Sequence, residues 1–235
     1  MTDEKPRKRM VKPPTGGTEA GRVIPERLKT AWKRTPSQQA WLTRQINDPF
    51  AAKARAHGYR SRAAYKQTEL DDKFRVLKPN ARVVDLGAAP GGWTQVALER
   101  GVTHIVGVDL LPVDPLPPAQ ILMMDFTDPE CGPELIRMLG GAPDVVISDI
   151  APNTVGHRQT DHLRIVGLIE AAVDFAVDVL VPGGSFIAKA FQGGETAGVI
   201  AKLKRYFPEV KTVKPKASRA DSSELYLVAL KFKGR

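Results

Sequence analysis

The chain has 235 residues, of which 42% are hydrophobic and 26% charged, and its formal net charge is +9. That length accommodates one sizeable α/β domain with an appendage, or two small domains. No apolar run nears the ~20 residues that span a bilayer, and a single cysteine, Cys131, closes no intrachain disulfide and builds no zinc site, which together predict a protein of a reducing, cytoplasmic setting without a membrane partner.

The charge is unevenly distributed. Residues 1–66 hold sixteen Lys and Arg against five Asp and Glu, a net charge of +11, and the remainder nets −2. Such asymmetry points to a polyanion, most often nucleic acid, with a solubilising basic tail as the plainer alternative. Residues 1–36, rich in Pro, Gly, Thr, Lys and Arg without a sustained apolar period, read as a basic disordered arm. The opening residues have no apolar core behind them, so no secretory signal is expected. From Ser37 a helical face appears in Trp41, Leu42, Gln45, Ile46 and Phe50. Asp48-Pro49 opens a helix through Ala56, Gly58 stops it, and Lys66 enters a further helix.

From Ala81 onward strands and helices alternate. Strands are predicted at Arg82–Leu86, His104–Asp109, Ala119–Met123, Val145–Ser148, Ser185–Ala190, Lys211–Val213 and Leu225–Lys231. Helices are predicted at Trp93–Glu99, Glu134–Leu139, Leu163–Val179 and Ala197–Tyr206. This pattern implies a Rossmann-like, doubly wound α/β sheet of about seven strands. It is mostly parallel, and the last strand is antiparallel because no convincing helix precedes it. Residues 37–235 are then one domain, with a helical part at 37–80 and a cofactor-binding core at 81–235.

The most informative segment is Val83-Val84-Asp85-Leu86-Gly87-Ala88-Ala89-Pro90-Gly91-Gly92-Trp93, a buried strand running through a glycine-rich turn into a helix. Such turns bring backbone N–H groups close to a ligand, although glycine turns also serve packing alone. Asp109 ends the second strand about 20 residues on, where a nucleotide ribose is usually gripped. Asp125 follows the third strand and Asp149 the fourth, so a row of acids faces the carboxyl ends of the sheet. No P-loop lysine follows the glycines, and Pro90 stands inside the turn. A triphosphate or a dinucleotide pyrophosphate therefore fits poorly. An adenosine cofactor with an amino-acid tail, S-adenosylmethionine, fits better, with Gly87, Gly91 and Trp93 at the turn and Asp109, Asp125 and Asp149 as polar contacts. The acids spread along successive strands and do not cluster, so no metal is expected. Cys131 lies in an acidic context that disfavours a thiolate.

A carboxylate at the end of an apolar strand needs a partner. Lys189, which ends its own apolar strand, and Glu224, which opens the last one, are candidates beside Asp149. A snorkelling lysine and a plain surface acid are the alternatives.

Here the chain resembles the FtsJ/RrmJ family of S-adenosylmethionine-dependent RNA 2′-O-methyltransferases. The family's Asp-Leu-Gly-Ala-Ala-Pro-Gly-Gly-Trp stands at residues 85–93, and Asp109-Leu110-Leu111-Pro112 matches as well. The family's Lys-Asp-Lys-Glu tetrad falls on Lys66, Asp149, Lys189 and Glu224 in matching local sequence, and the similarity covers about residues 58–231. It looks closest to the bacterial branch that methylates a uridine ribose in 23S-type ribosomal RNA, which implies ribosomal RNA, within the large subunit, as the partner. The arm before Ser37 looks longer than the family core requires.

The resemblance implies that Lys189 is the general base, and the reading that goes with it has Asp149 orient Lys189 and face the methyl donor while Lys66 and Glu224 hold the target ribose. Spacing alone does not choose between the two lysines. The chemistry is consistent, since a ribose hydroxyl must lose its proton to a neighbouring base as it attacks a methyl sulfonium. Arg60, Arg62, Lys202, Lys204, Arg205, Lys211, Lys214, Lys216 and Arg219 are candidate phosphate contacts. Other readings are a methyltransferase acting on transfer RNA or organellar ribosomal RNA, a non-catalytic RNA-binding assembly factor, and a nicotinamide oxidoreductase. The intact tetrad and the missing pyrophosphate cradle disfavour the last two. A monomer is expected, since no heptads stand out.

Overall fold

The structure is a computed structural model. It describes residues 46–151, 158–193 and 196–235, with the side chains of 158–163 left out, together with Trp32, Thr35, Pro36, Gln39, Leu42 and Thr43. The basic arm apart from Trp32, Thr35 and Pro36, together with Trp41 and Gln45 of the first expected helix and Pro152-Asn153, lies outside the described residues. The chain divides into a leading unit, Met1–Asn47, and a second unit, Asp48–Arg235. Everything below concerns the second.

Helix α1 spans Pro49–Ala56 and α2 spans Ala63–Phe74. Asp48 starts α1 by accepting hydrogen bonds from the Phe50 and Ala51 amides at 3.0 and 3.2 Å, and Pro49 lends its fixed φ to the first helical position. Then come β1 (Arg82–Leu86), α3 (Gly92–Glu99), β2 (His104–Asp109), β3 (Gln120–Met123), α4 (Cys131–Leu139), β4 (Val145–Ser148), α5 (Arg158–Val179), β5 (Ser185–Phe191), α6 (Thr196–Tyr206), β6 (Glu209–Val213) and β7 (Glu224–Leu230). No helix among the described residues is long and apolar enough to cross a membrane.

The strands form one seven-stranded sheet in the order β3-β2-β1-β4-β5-β7-β6. β3, β2, β1, β4 and β5 are parallel. β7 runs antiparallel between β5 and β6, so the last strand in sequence is not the last in space. Period-two alternation sorts the side chains into two cores. Val84, Val106, Val146, Phe186, Ala188 and Leu227 pack with α4, α5 and α6. Val83, Ile105, Val145, Ile147, Ile187 and Tyr226 pack with α2 and α3. The order reverses between β1 and β4, and in open α/β sheets a ligand crevice forms at that reversal, beyond the carboxyl ends of the strands.

Candidate active site

The glycine turn after β1 opens onto a cavity of about 330 Å³ at this reversal, lined by Gly87, Ala89, Asp109, Asp125, Asp149 and Ile150 among others. Gly87 has φ +76°, and a Cβ there would sit 2.6 Å from Cγ1 of Ile150. Only glycine gives both the left-handed backbone and the close approach to the segment after β4. Asp109 braces the turn: one carboxylate oxygen accepts the Ala89 amide at 2.9 Å and the other the Leu111 amide at 2.8 Å. Leu110 and Leu111 form an exposed apolar rim beside it. Asp125 accepts from the amide and hydroxyl of Thr127 at 2.9 and 2.7 Å. Those bonds, the amide first, hold its carboxyl below the usual range despite some burial.

Two expected cofactor residues lie elsewhere. Trp93 is absent from the cavity wall. Its ring centroid lies 5.6 Å from that of Tyr226, and its indole N–H donates to the Ala63 carbonyl at 3.0 Å. Helical geometry explains this, because Trp93, Val96 and Ala97 share the face of α3 that packs on the sheet. Gly91 is not on the wall either. It holds φ +109° at the start of α3, packed against Leu116 and the Arg60 side chain.

Beside the cavity, β5 and β7 carry a second cluster. Their antiparallel register sets Lys189 opposite Tyr226 and Phe191 opposite Glu224, all on the sheet face that α2 covers. Lys66, on α2, reaches that face. Its Nζ lies 2.8 Å from both carboxylate oxygens of Glu224. Ser218 donates to the same carboxylate at 2.8 Å. The Lys189 ammonium donates to the Asp149 carbonyl at 2.6 Å and lies 3.1 Å from its carboxylate. All four tetrad residues therefore meet in two lysine–carboxylate pairs, and Asp149 belongs to both the cluster and the cavity wall. Burial raises the Glu224 carboxyl, but the Lys66 charge and hydrogen bond, Ser218 and the Lys189 charge outweigh it and leave the group below its ordinary range.

Sequence reasoning missed two members. Tyr226 donates its hydroxyl to the Asp149 carboxylate at 2.9 Å, and Lys66 Nζ lies 5.8 Å from its ring centroid. Burial first, then the charges of Asp149 and Glu224, push its hydroxyl well above 10, so it remains a donor. The signal was present, since Tyr226 stands two residues after Glu224 on a strand and so shares its face. Asp85 is the other. It is wholly buried on β1 and accepts from the Thr94 hydroxyl at 2.7 Å, and its second oxygen has no hydrogen-bond partner among the described residues.

The expected phosphate contacts largely serve the fold. Arg60 donates to the carbonyls of Pro90, Asp114 and Pro115. Arg62 pairs with Asp48 and the Ala217 carbonyl, Arg219 with Asp48, and Lys214 with the carbonyls of Ala220 and Ser222. Lys202 pairs with Asp174. Cys131 is fully buried, and burial, with Asp128 and Asp125 nearby, pushes its thiol to about 11, so it is no nucleophile.

A glycine turn, a carboxylate row at the sheet reversal and an adjoining cluster of buried lysines and half-buried acids define a Rossmann-like group-transfer enzyme. The chain belongs to the FtsJ-like methyltransferase family, whose profile matches residues 59–232. It is 71% identical to the Ribosomal RNA large subunit methyltransferase E of Caulobacter sp. (strain K31), over 96% of this chain and all of that one. The protein of the same name from Caulobacter vibrioides is 68% identical over the same shares. A Plasmodium falciparum crystal structure described as a ribosomal RNA methyltransferase superposes with a TM-score of 0.68 at 34% identity, covering 75% of this chain and 100% of that one.

Proposed function

We propose that this chain transfers a methyl group from S-adenosylmethionine to the ribose 2′-hydroxyl of a uridine in 23S-type RNA of the large ribosomal subunit. The observation that carries the reading is the meeting of Lys66, Asp149, Lys189 and Glu224 in two pairs of a buried lysine with a half-buried carboxylate, one of which, through Asp149, reaches the cavity wall. The names of the relatives support ribosomal RNA as the substrate. The reading takes 37–80 as the RNA-facing part, 81–235 as the cofactor core and 1–36 as a basic arm, in a monomer working in the cytoplasm.

The cavity suits the cofactor. Its walls join apolar surface to the carboxylates of Asp109, Asp125 and Asp149, which match a ligand with a flat apolar base, hydroxyls and a cationic sulfur. Gly87 would face it closely, Asp109 its ribose hydroxyls and Asp125 its amino group. When bound, S-adenosylmethionine supplies an electrophilic methyl group.

The remaining work belongs to the chain. Lys189 Nζ takes the proton that the ribose hydroxyl loses, and it does so in its neutral form. The Asp149 carbonyl and carboxylate fix the amine's direction, and the Tyr226 hydroxyl fixes that carboxylate. Lys66 offers donors and Glu224 acceptors to the target ribose. Burial strengthens these bonds by excluding competing water.

Radiolabelled methyl donor incubated with large-subunit particles, followed by separation of the RNA species and mapping of the labelled ribose, tests the assignment. Label in 23S-type RNA is expected; label only in protein, or none in RNA, overturns it. Lys189→Ala is expected to slow single-turnover transfer by roughly 10²- to 10⁴-fold with donor affinity, read by calorimetry, retained. Undiminished transfer removes Lys189 from the base role.

A further inference from the structure

We propose that the aromatic and basic surface formed by Phe50, Lys53, Arg55, His57, Tyr59 and Tyr65 is a docking platform for single-stranded RNA, which stacks the bases next to the target nucleotide. The proposal rests on the methyltransferase reading and deepens it by naming the strand state of the substrate and where it is gripped.

Four rings meet on the outer side of α1 and the start of α2. The Tyr65 ring centroid lies 5.4 Å from that of Tyr59, edge-on at 81°, 5.7 Å from Phe50 and 6.2 Å from His57. Phe50, Tyr59 and Tyr65 are half-buried, and His57 is exposed. A cluster that existed only to seat α1 would be dry and apolar. This one turns a phenol, an imidazole and an ammonium outward, with the Tyr65 hydroxyl 2.9 Å from His57 Nδ1. Exposed Lys53 sets its Nζ 4.8 Å from the Tyr65 centroid. A ring face that a hydrated ammonium reaches is a face that a base can reach.

The charge has the matching sign. α1 carries Lys53 and Arg55 and no acid in its eight residues. Neither cation forms an ion pair among the described residues, whereas Arg60, Arg62 and Arg219 are spent inside the fold. The carboxylates nearby are occupied: Glu99 accepts the Tyr59 hydroxyl at 2.5 Å, and Asp48 is held by Arg62 and Arg219. Stacking rings beside cations suit single strands, because every base has a π face and only an unpaired base can present it. Tyr65 and Lys66 are consecutive on α2, so the ring cluster and the tetrad draw on the same first turns of one helix.

Stacking and phosphate contact separate by their salt dependence. Anisotropy of a fluorescein-labelled single-stranded RNA oligonucleotide, and of the same sequence as a duplex, is measured with the full chain across a salt series. Tyr65→Ala is expected to raise the single-strand Kd about tenfold or more, with the salt slope, the duplex Kd and donor affinity unchanged. Tyr65→Phe keeps the ring, loses only the hydroxyl contact with His57, and is expected to bind like the parent. The pair Lys53→Ala, Arg55→Ala is expected to cut the slope of log K against log salt by ~1.4. His57→Ala, at an exposed position, should weaken single-strand binding several-fold and keeps the proposal testable if Tyr65→Ala fails to fold. Parent-like binding by Tyr65→Ala, equal losses in Tyr65→Ala and Tyr65→Phe, or equal losses on duplex overturn the platform. Methyl transfer by the unsubstituted chain is followed in parallel. Its absence sinks the enzyme reading, whereas transfer with undiminished Tyr65→Ala binding sinks the platform alone.

Discussion

Asp85 sits on β1 with no solvent exposure, one oxygen bound by Thr94 and the other without a hydrogen-bond partner among the described residues. Burial above all, set against the Thr94 bond and reinforced by Asp149 and Asp109, raises its carboxyl from 3.8 to about 7. The folded protein therefore holds a proton that the unfolded chain has already released between pH 4 and 7. Stability falls as pH rises through that window, by on the order of 4 kcal/mol once both states are ionised. Asp85→Asn, which can still accept from Thr94, is expected to flatten the loss. Urea denaturation at pH 5 and pH 8 checks it, and a pH dependence identical to the parent's would show that Asp85 does not carry the effect. Asp85 was legible as a strand residue but not as a titrating one, because its identity in sequence says nothing of the missing second donor.

At the scale of elements, α2 and the 214–223 segment are tied at several points. Glu69 accepts the amides of Lys216 and Ala217 at 2.6 and 2.8 Å, Arg62 holds the Ala217 carbonyl, and Asp48 holds Arg219. Arg62, Lys66 and Glu69 recur at about one helical turn, so the helix that delivers Lys66 also fixes the approach to Glu224. Glu69→Ala strands two amides, one on a fully buried residue, and is expected to cost about 2 kcal/mol in urea unfolding. It should also lower kcat while donor affinity holds, and an equal loss of donor affinity would place its effect on the cavity instead. Sequence reasoning took Arg60, Arg62 and Arg219 for phosphate contacts because composition shows charge but not the carbonyls and carboxylates that satisfy it. Element ends were misjudged for a related reason. α4 begins at Cys131 and not at Glu134, because Pro133 falls in the first turn, where its missing N–H is not needed.

Across the whole molecule, the alternation of Val83, Ile105, Val145 and Ile187 against Val84, Val106, Val146 and Phe186 was enough to read the strands and the layered sheet. The insertion of β7 between β5 and β6 was not readable, since an antiparallel last strand fits either edge equally well in sequence. The tetrad was legible through the resemblance and not through spacing, because its members are brought together only by strand order. The cavity draws its walls from the end of β2 and the segments that follow β1, β3 and β4, so a ligand seated there ties together the carboxyl ends of the strands at the reversal. S-adenosylmethionine at one hundred times its Kd is expected to raise Tm by about 5–10 °C. Scanning calorimetry checks this, and an unchanged Tm at that concentration would rule the cavity out as the donor site.

The late position of β7 also sets an order of events during synthesis. Among the described residues β6 bonds to no strand other than β7, and one edge of β5 is covered by β7 alone. A nascent chain thus carries Lys66, Asp149 and Lys189 well before Glu224 and Tyr226 emerge to partner them. On the proposed reading, the four-residue cluster is complete only once β7 has taken its place between β5 and β6.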